Sequence, residues 1–529
     1  MDVTSFIGPF VPELLVLGGA LLVFLLDVMG VRRNEWLSTV AVAATTLALL
    51  SVLGDLGFAP LSVFATLPSS LIDAAPTGAP LYAFTSLGLI FQAIFLLSAL
   101  LVCLASASRP STEKGAPIFY GLLLLATVGM LLVAVATDLI FLLLAIEVTS
   151  IATYLLVAYH RRESRSLEAA MKFFIIGALS TVLSFYGASL LFGAYDTTNL
   201  YAIGRATGSV GFPVLVLLGY GFLIAGLAFK VTLVPFHAWA VDVYDGAPSD
   251  VSAFLAGGTK KIGLFAFFLV FLGPILYIKA AGAGSSPFSG GPLDLSPILT
   301  LTLAVLAVVT MTVGNLLALL QKEMKRMLAY SSISQAGYML IGVTIGTAPA
   351  ITGATMQIFA HVLMKGGAFL VVAGVAALGI GPLIDDWKGL GTRRPLLGAA
   401  FALMLLSLAG VPLTIGFVSK FVLFSAAVQA QGYFVWLAVA GLLNSALSVF
   451  YYARVLKVLY FDPSPSTALA TAGSTALPVA DPLPAGGLGY GRAVAIGLIA
   501  VLIVAIGVYP QPVLGAIQSA AQHFVALGA

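Results

Sequence analysis

Cysteine is almost absent. The 529-residue sequence holds one, Cys103, beside four histidines, His160, His237, His361 and His523. Iron–sulfur clusters and thiolate zinc centres need several clustered ligands. Neither fits in this chain, and a disulfide within it is excluded. No strand followed by a G-x-G-x-x-G turn and no P-loop motif occurs, so nothing points to nucleotide binding. Charge is the second shortage: 9% of residues are Asp, Glu, Lys or Arg, against about 25% in a soluble domain. With 60% hydrophobic residues, the chain lacks the polar surface to face water throughout, and its solvent is mostly lipid. The 24 Lys and Arg against 21 Asp and Glu leave a net +3, too little to suggest nucleic acid as a partner. The opening Met1-Asp2-Val3-Thr4 has no basic region before its apolar run, and no small-residue cleavage site closes that run. The first apolar stretch therefore reads as a retained helix.

What is present is a series of apolar runs. A membrane-crossing helix needs about 20 mostly apolar residues. Cutting at charged and Gly/Pro-rich stretches leaves fourteen: 9–29, 37–57, 81–107, 117–136, 138–160, 169–194, 211–240, 248–277, 296–320, 328–346, 350–379, 397–430, 433–460 and 491–519. The expected fold class is all-α and polytopic, with both termini on one side. Residues 1–110 would carry helices 1–3, 111–280 helices 4–8, 296–460 helices 9–13, and 491–529 the last helix. The stretches 281–295 and 461–490 are rich in Gly, Ser, Pro and Ala and read as a loop and a flexible linker.

Alternate loops and helix ends hold sixteen basic residues, among them Arg33, Arg109, Arg161, Arg326, Arg394 and Arg492, whereas the opposite set holds Arg205 and Lys279. The positive-inside rule makes the first side cytoplasmic and places both termini outside, in a cell (inner) membrane. Six lysines remain, and all fall inside apolar spans: Lys172, Lys230, Lys260, Lys261, Lys365 and Lys420. Glu147 lies mid-span as well.

A charge at mid-bilayer costs roughly 2.5–3.5 kcal/mol on insertion scales. Lys172, about one turn inside its helix, can snorkel to the interface. Lys230, Lys261, Lys365 and Lys420 lie too deep, or beside a helix break, for that. Lys260 must point about 100° away from Lys261, and Lys261 is expected to be the one facing inward. Burial moves amines and carboxylic acids toward their neutral forms, so each can take and release a proton on demand. His361, four residues before Lys365, shares its helix face, and His237 follows Lys230 by seven. Both suit proton relay, whereas His160 and His523 at helix ends read as structural. Tyr330, Ser331, Ser332, Ser334 and Gln335 offer hydroxyls and amides for relay, or small polar groups for helix packing.

Two spans carry breaks. Pro235 follows Lys230 by five residues, and Gly410-Val411-Pro412 interrupts the twelfth span ahead of Lys420. Such backbone is tolerated at membrane depth only against protein or a wet cavity. Paired breaks in two halves suggest inverted five-helix repeats with ion sites at the breaks.

These residues carry a resemblance. The run Asp138 to Tyr154 around Glu147, the segment Ala228-Phe229-Lys230 through Pro235, His237 and Trp239, the Lys261-Ile262-Gly263 start, Arg326 to Tyr338, and Gly410 to Phe421 resemble the antiporter-like subunits of respiratory complex I. Pro12-Glu13, the Asp386 to Leu390 loop and Ser445 to Tyr460 resemble the N-type branch, known as subunit 2 in mitochondria and chloroplasts. The resemblance implies a membrane-arm subunit, a non-redox part of a proton-translocating NADH:quinone oxidoreductase. Quinone, iron–sulfur and flavin chemistry would then belong to partner subunits, with no cofactor in this chain. It also implies Glu147 and Lys230 as a coupled pair, Lys261 as central relay and Lys420 as the site near the second break, with Lys172 and His237 at weaker positions. His361 and Lys365 depart from the N-type pattern, in which uncharged residues are expected, toward L- and M-type subunits and multisubunit sodium/proton antiporters. An antiporter or membrane-bound hydrogenase without quinone reduction is the alternative reading. A stand-alone metabolite carrier fits a line of lysines across several helices less well than either. The electron donor, whether NADH, a deazaflavin or ferredoxin, would bind elsewhere.

Overall fold

The computed structural model describes residues 8–58, 60–74, 80–109, 115–206, 213–280, 295–463 and 487–528. The expected loop at 281–295 and linker at 461–490 lie for the most part outside the described residues, as does Lys114. Among the described residues there is no β-strand, only isolated bridges. This is the lipid-solvent expectation, since a helix satisfies its own backbone polar groups without water. The spans are α1 (Val11–Val28), α2 (Asn34–Asp55), α3 (Ser86–Ser106), α4 (Ala116–Val135), α5 (Leu139–Val157) and α6 (Ser164–Tyr195). The seventh is split into α7a (Pro213–Val231) and α7b (Ala238–Gly246). The eighth, α8, runs through Ser249–Phe254, a π-turn at Leu255–Thr259 and Lys260–Ala280. Then come α9 (Leu295–Leu319), α10 (Met324–Ile345), and α11, built from Ala348–His361, a π-turn at Val362–Gly366 and Gly367–Ala377. The twelfth is again split, into α12a (Pro395–Ala409) and α12b (Ile415–Gln429), before α13 (Phe434–Tyr460) and α14 (Tyr490–Val508). Twelve helices have the length and hydropathy of membrane spans, and the protein is a multi-pass membrane protein. The remaining two of the fourteen are the split twelfth and α10, whose 22 residues still reach about 33 Å.

One expectation fails at the C-terminus. The last apolar run is not one helix over 491–529: it stops at Val508, and a second helix, α15 (Gln511–Gly528), follows Tyr509-Pro510. A proline ring cannot join the preceding helix without losing a hydrogen bond and clashing with the turn before it. α15 lies against α3, α8 and α11.

The two ends of the bundle can be told apart by their contacts. At one end Arg109 (after α3) and Arg492 (start of α14) both reach Asp250 at the start of α8, at 3.2 and 3.5 Å. Arg165 at the start of α6 pairs with Asp245 in α7b and with Glu323 before α10. Arg454 near the end of α13 donates to the carbonyls of Leu319 and Gln321. At the other end isolated bridges join Tyr82 to Ala136 and Asp138 to Asn199, and His523 of α15 lies 3.3 Å from Asp73. Basic residues thus gather on one face, as the alternation of loops requires. α8 and α11 form the centre: 94% and 89% of the residues in their most apolar stretches are buried, against 33% in α6 and α13.

Candidate functional site

Both helix breaks are stitched by side chains. In the first, Thr232 adopts a left-handed φ of +67°. The Phe229 carbonyl accepts from the Thr232 N–H at 3.0 Å and from Trp239 Nε1 at 3.1 Å, and the Val234 N–H donates to Thr310 of α9 at 3.1 Å. In the second, Gly410 (φ +93°) and Leu413 (φ +67°) turn the chain, and the Gly416 N–H donates to Ser407 Oγ. The breaks are five spans apart, so the chain traverses them in opposite directions. Lys230 precedes its break and Lys420 follows its own.

Lys230 Nζ donates to Ser150 Oγ of α5 at 2.5 Å. Glu147, one turn earlier on α5, accepts from Thr181 Oγ1 of α6 at 2.5 Å. The expected pair is therefore not in direct contact. Lys230 and Glu147 face one small cavity of about 20 Å³, lined also by Ser150, Ser180, Thr181 and Tyr154. That is room for about one water.

Farther in, Lys261 Nζ lies 2.8 Å from His361 Nδ1, and Lys365 Nζ donates to Ser331 Oγ of α10 at 2.7 Å. All three side chains are fully buried. Lys261 faces inward as expected, but Lys260 beside it does so as well. It is buried too, and donates to the Ser332 carbonyl at 2.7 Å. The reason is that α8 is surrounded by protein, so a 100° turn leads from one buried face to another. At the far end Lys420 Nζ donates to the Leu408 and Ala409 carbonyls of α12a at 2.8 and 3.1 Å and to Ser445 Oγ of α13 at 2.9 Å. A lysine there meets the partial negative charge of a helix C-terminus. It also lines a cleft of about 540 Å³, with Phe417, Phe421, Phe424 and Leu442 around it.

Two residues stand apart from this row. Lys172 sits at the basic end, its side chain 42% exposed and paired with Glu168 at 2.8 Å and Asp242 at 2.9 Å. Arg326 shares Asp242 at 3.1 Å. His237 caps the start of α7b, half-buried, its Nδ1 3.3 Å from the Pro235 carbonyl. The break removes the two-turn alignment with Lys230 that an intact helix would give. Among the relay candidates on α10, Ser331 and Ser332 touch lysines, and Gln335 joins Gln357 and, through it, Ser419. Tyr330 is half-buried and outside the row.

The sequence reading did not single out several polar residues that hold this interior together: Ser150, Thr181, Asn315, Asn444, Tyr451 and Tyr452. Asn315 Nδ2 donates to the Oδ1 of Asn444 at 3.1 Å, and its Oδ1 accepts from Tyr451 at 2.9 Å. An Asn inside an apolar span was the available signal, because its amide needs partners in lipid.

Residues 136–448 match the family described as NADH:quinone oxidoreductase/Mrp antiporter, transmembrane. F(420)H(2) dehydrogenase subunit N of Methanosarcina mazei is 40% identical over 444 residues, covering 82% of this chain and 83% of the relative. NADH-quinone oxidoreductase subunit N 2 of Sorangium cellulosum is 36% identical over 528 residues, 97% of each chain. A chain of respiratory complex I from Thermus thermophilus superposes with a TM-score of 0.73 at 30% identity, over 96% of this chain and 99% of that one. The resemblance carried by Glu147, Lys230, Lys261 and Lys420 thus extends over most of the sequence, and the chain belongs to the NADH:quinone oxidoreductase/Mrp antiporter family.

Proposed function

We propose that this chain is the N-type, proton-translocating subunit of the membrane arm of a quinone-reducing respiratory complex. The observation that carries the proposal is the buried row itself. Lys230, Lys261 with His361, Lys365 and Lys420 each hold a hydrogen-bond partner inside a bundle whose central helices are almost wholly enclosed. Charges so placed are costly to insert and are kept where ions move. Redox chemistry, with its flavin, iron–sulfur and quinone sites, takes place in partner subunits of the assembly. The relatives carry names with different electron donors, so the donor belongs to the partners as well. The chain lies in the cell membrane with its basic face toward the cytoplasm and both termini outside.

A charge shift in a neighbouring subunit acts on Glu147. Glu147 and Lys230 separate across their small cavity, and Lys230 passes its proton toward Lys261 and His361. Like charges about 10 Å apart interact by roughly 1.7 kcal/mol at an effective dielectric of 20, enough to hand protonation from one site to the next. Lys420, at the open cleft, exchanges the proton with one side or with a neighbouring subunit. In inverted membrane vesicles, Lys230→Ala and Glu147→Ala should each lower redox-driven proton uptake. Undiminished uptake in a fully assembled complex would remove both residues from the mechanism. Copurification of quinone-reducing partners, as opposed to small antiporter subunits alone, tests the choice of complex.

A further inference from the structure

We infer that the apolar cavity between α2, α3, α11, α14 and α15 binds one acyl chain of a membrane phospholipid, in the leaflet away from the basic face, and that this chain completes the enclosure of α11. The site stands whether or not the buried lysines carry protons.

The cavity begins with the break in the last apolar run. Tyr509, at φ −127° and ψ 78°, is not helical, and Pro510 keeps α14 and α15 from joining. Where the two part, a cavity of about 280 Å³ is walled by Leu53 of α2, Ile94 and Leu97 of α3, Phe359 of α11, Ile506 of α14 and Ile517 of α15. Every residue that lines it is apolar.

The helices fix its depth. Ile94 and Leu97 lie eight and eleven residues from the start of α3, at the end remote from the basic face. At 1.5 Å per residue that is about 12–17 Å along the helix, within the hydrocarbon layer. Nearer the surface, α15 has two faces: Ile517, Ala520, Ala521 and Phe524 are buried, whereas Gln518, Ser519, Gln522 and His523 are exposed. A helix of this kind lies in the membrane interface. The cavity therefore runs from headgroup level at α15 down to acyl-chain depth at Leu97.

α11 is the element that this opening concerns most. From Ala350 to Val375 every residue of α11 is buried except Phe359, which is half-buried and lines the cavity. Phe359 stands two residues before His361. The single breach in the packing around this central helix thus opens onto apolar space.

The chemistry of the walls selects the occupant. Apolar cavities of about 150 Å³ stay dry and take up small hydrocarbons, and this one is larger. Left empty, its walls would forgo dispersion contacts on every side. The bilayer supplies hydrocarbon at this depth. One chain lying along Ile94, Leu97 and Phe359 would leave its ester groups beside α15, where Gln511 and Gln518 are exposed.

The test uses the assembled complex in vesicles of phosphatidylcholine that include a small share of phosphatidylcholine with a diazirine in its acyl chain. The complex is washed in mild detergent and irradiated, and labelled peptides are quantified by mass spectrometry. Peptides holding Ile94 to Leu97 and Ala516 to Ile517 should keep at least about fivefold more label than the rest of the chain, a preference in retained binding. Ala93→Phe combined with Ala516→Phe fills the cavity from two walls. It should remove that excess while label elsewhere and the subunit content stay as in the wild type. Label that washes out of the cavity as readily as from the rest of the chain overturns the site, because no chain is held there. Undiminished label in the filled variant overturns it as well, since the chain then lies outside the cavity. Cavity peptides that take no label even before washing show another occupant, such as an apolar side chain of a partner subunit, and also overturn it. If the double variant does not assemble, Ala516→Leu alone is read by the same outcomes.

Discussion

Lys261 Nζ and His361 Nδ1 lie 2.8 Å apart, with both side chains fully buried and the two residues a hundred positions apart in sequence. A fully protonated imidazole has no acceptor to offer an ammonium group. The contact therefore holds only when the pair carries at least one proton fewer than its maximum, so that lysine donates to a neutral imidazole or imidazole donates to a neutral amine. Arrival of another proton breaks the contact, which makes the pair a junction and not a static ion pair. The flanking π-turns fit this role. Those of α8 and α11 pack on each other, and a Cβ built on Gly257 would lie 3.7 Å from the Gly366 Cα. Wide turns of this kind are frequent at functional sites in helices.

His361→Leu is expected to lower redox-driven proton uptake by about a hundredfold or more, within the roughly 10²–10⁴-fold that a positioned acid–base group contributes. Because both residues serve one junction, adding Lys261→Met to it should lower uptake little further. Uptake rates of the two single variants and the double variant decide this. Multiplicative losses would mean that the two residues act separately.

Gly410→Ala should be costly for two reasons that can be read from the second break. Its φ of +93° is one that alanine adopts only under strain, and the added Cβ would lie 3.2 Å from Lys420 Cδ and 3.4 Å from its Nζ. A loss of about 1–3 kcal/mol is expected. Thermal unfolding in detergent would show it as a lower transition temperature, and uptake should fall with it as Lys420 is pushed off the Leu408 and Ala409 carbonyls. An unchanged transition would show that the break can relax around a methyl group.

Much of this was legible in the sequence because it depends on local or additive properties. Apolar run length located the spans, Pro235 and Pro412 the breaks, and the cost of a mid-bilayer charge the row of lysines. What the sequence did not disclose comes in each case from a property of the assembled bundle. The expectation that only Lys261 of the adjacent pair faces inward assumes a helix with an outside, which α8 does not have. Lys172 meets its partner Asp242 across 70 residues of sequence, a pairing that no local pattern announces. Averaging over the last apolar run hid Pro510, which separates α14 from α15. Tyr451 and Tyr452 counted as hydrophobic in a long apolar helix, although their hydroxyls are directed into the polar interior.

Asp250 pairs with both Arg109 and Arg492, at 3.2 and 3.5 Å, and all three side chains are less than a tenth exposed. Removing one partner from a buried ion pair typically costs about 3–5 kcal/mol, since the other charge stays buried. Asp250→Ala should therefore lower thermal stability more than Asp27→Ala, whose partner Arg32 is 59% exposed. Solvent screening leaves an exposed pair worth about 1 kcal/mol or less. Equal shifts in the two variants would show that the Asp250 cluster is hydrated.

Ser150→Ala tests the separation of Glu147 and Lys230. In the structure each group has a hydroxyl of its own, Thr181 for the carboxylate and Ser150 for the ammonium, and no direct ion pair forms between them. Ser150 thus stabilises the open arrangement, in which Lys230 is free to pass its proton inward. A hydrogen bond to a charged group is worth about 1.5–3 kcal/mol, so its loss shifts the balance toward the closed pair by tenfold or more. Proton uptake in Ser150→Ala should be slowed to a comparable degree while the complex assembles normally, and Glu147→Gln, which weakens the competing attraction, should relieve part of the defect when combined with it. If the double variant is as slow as the product of the single defects, Ser150 acts on Lys230 without regard to Glu147, and the separation of the pair is not what limits transfer.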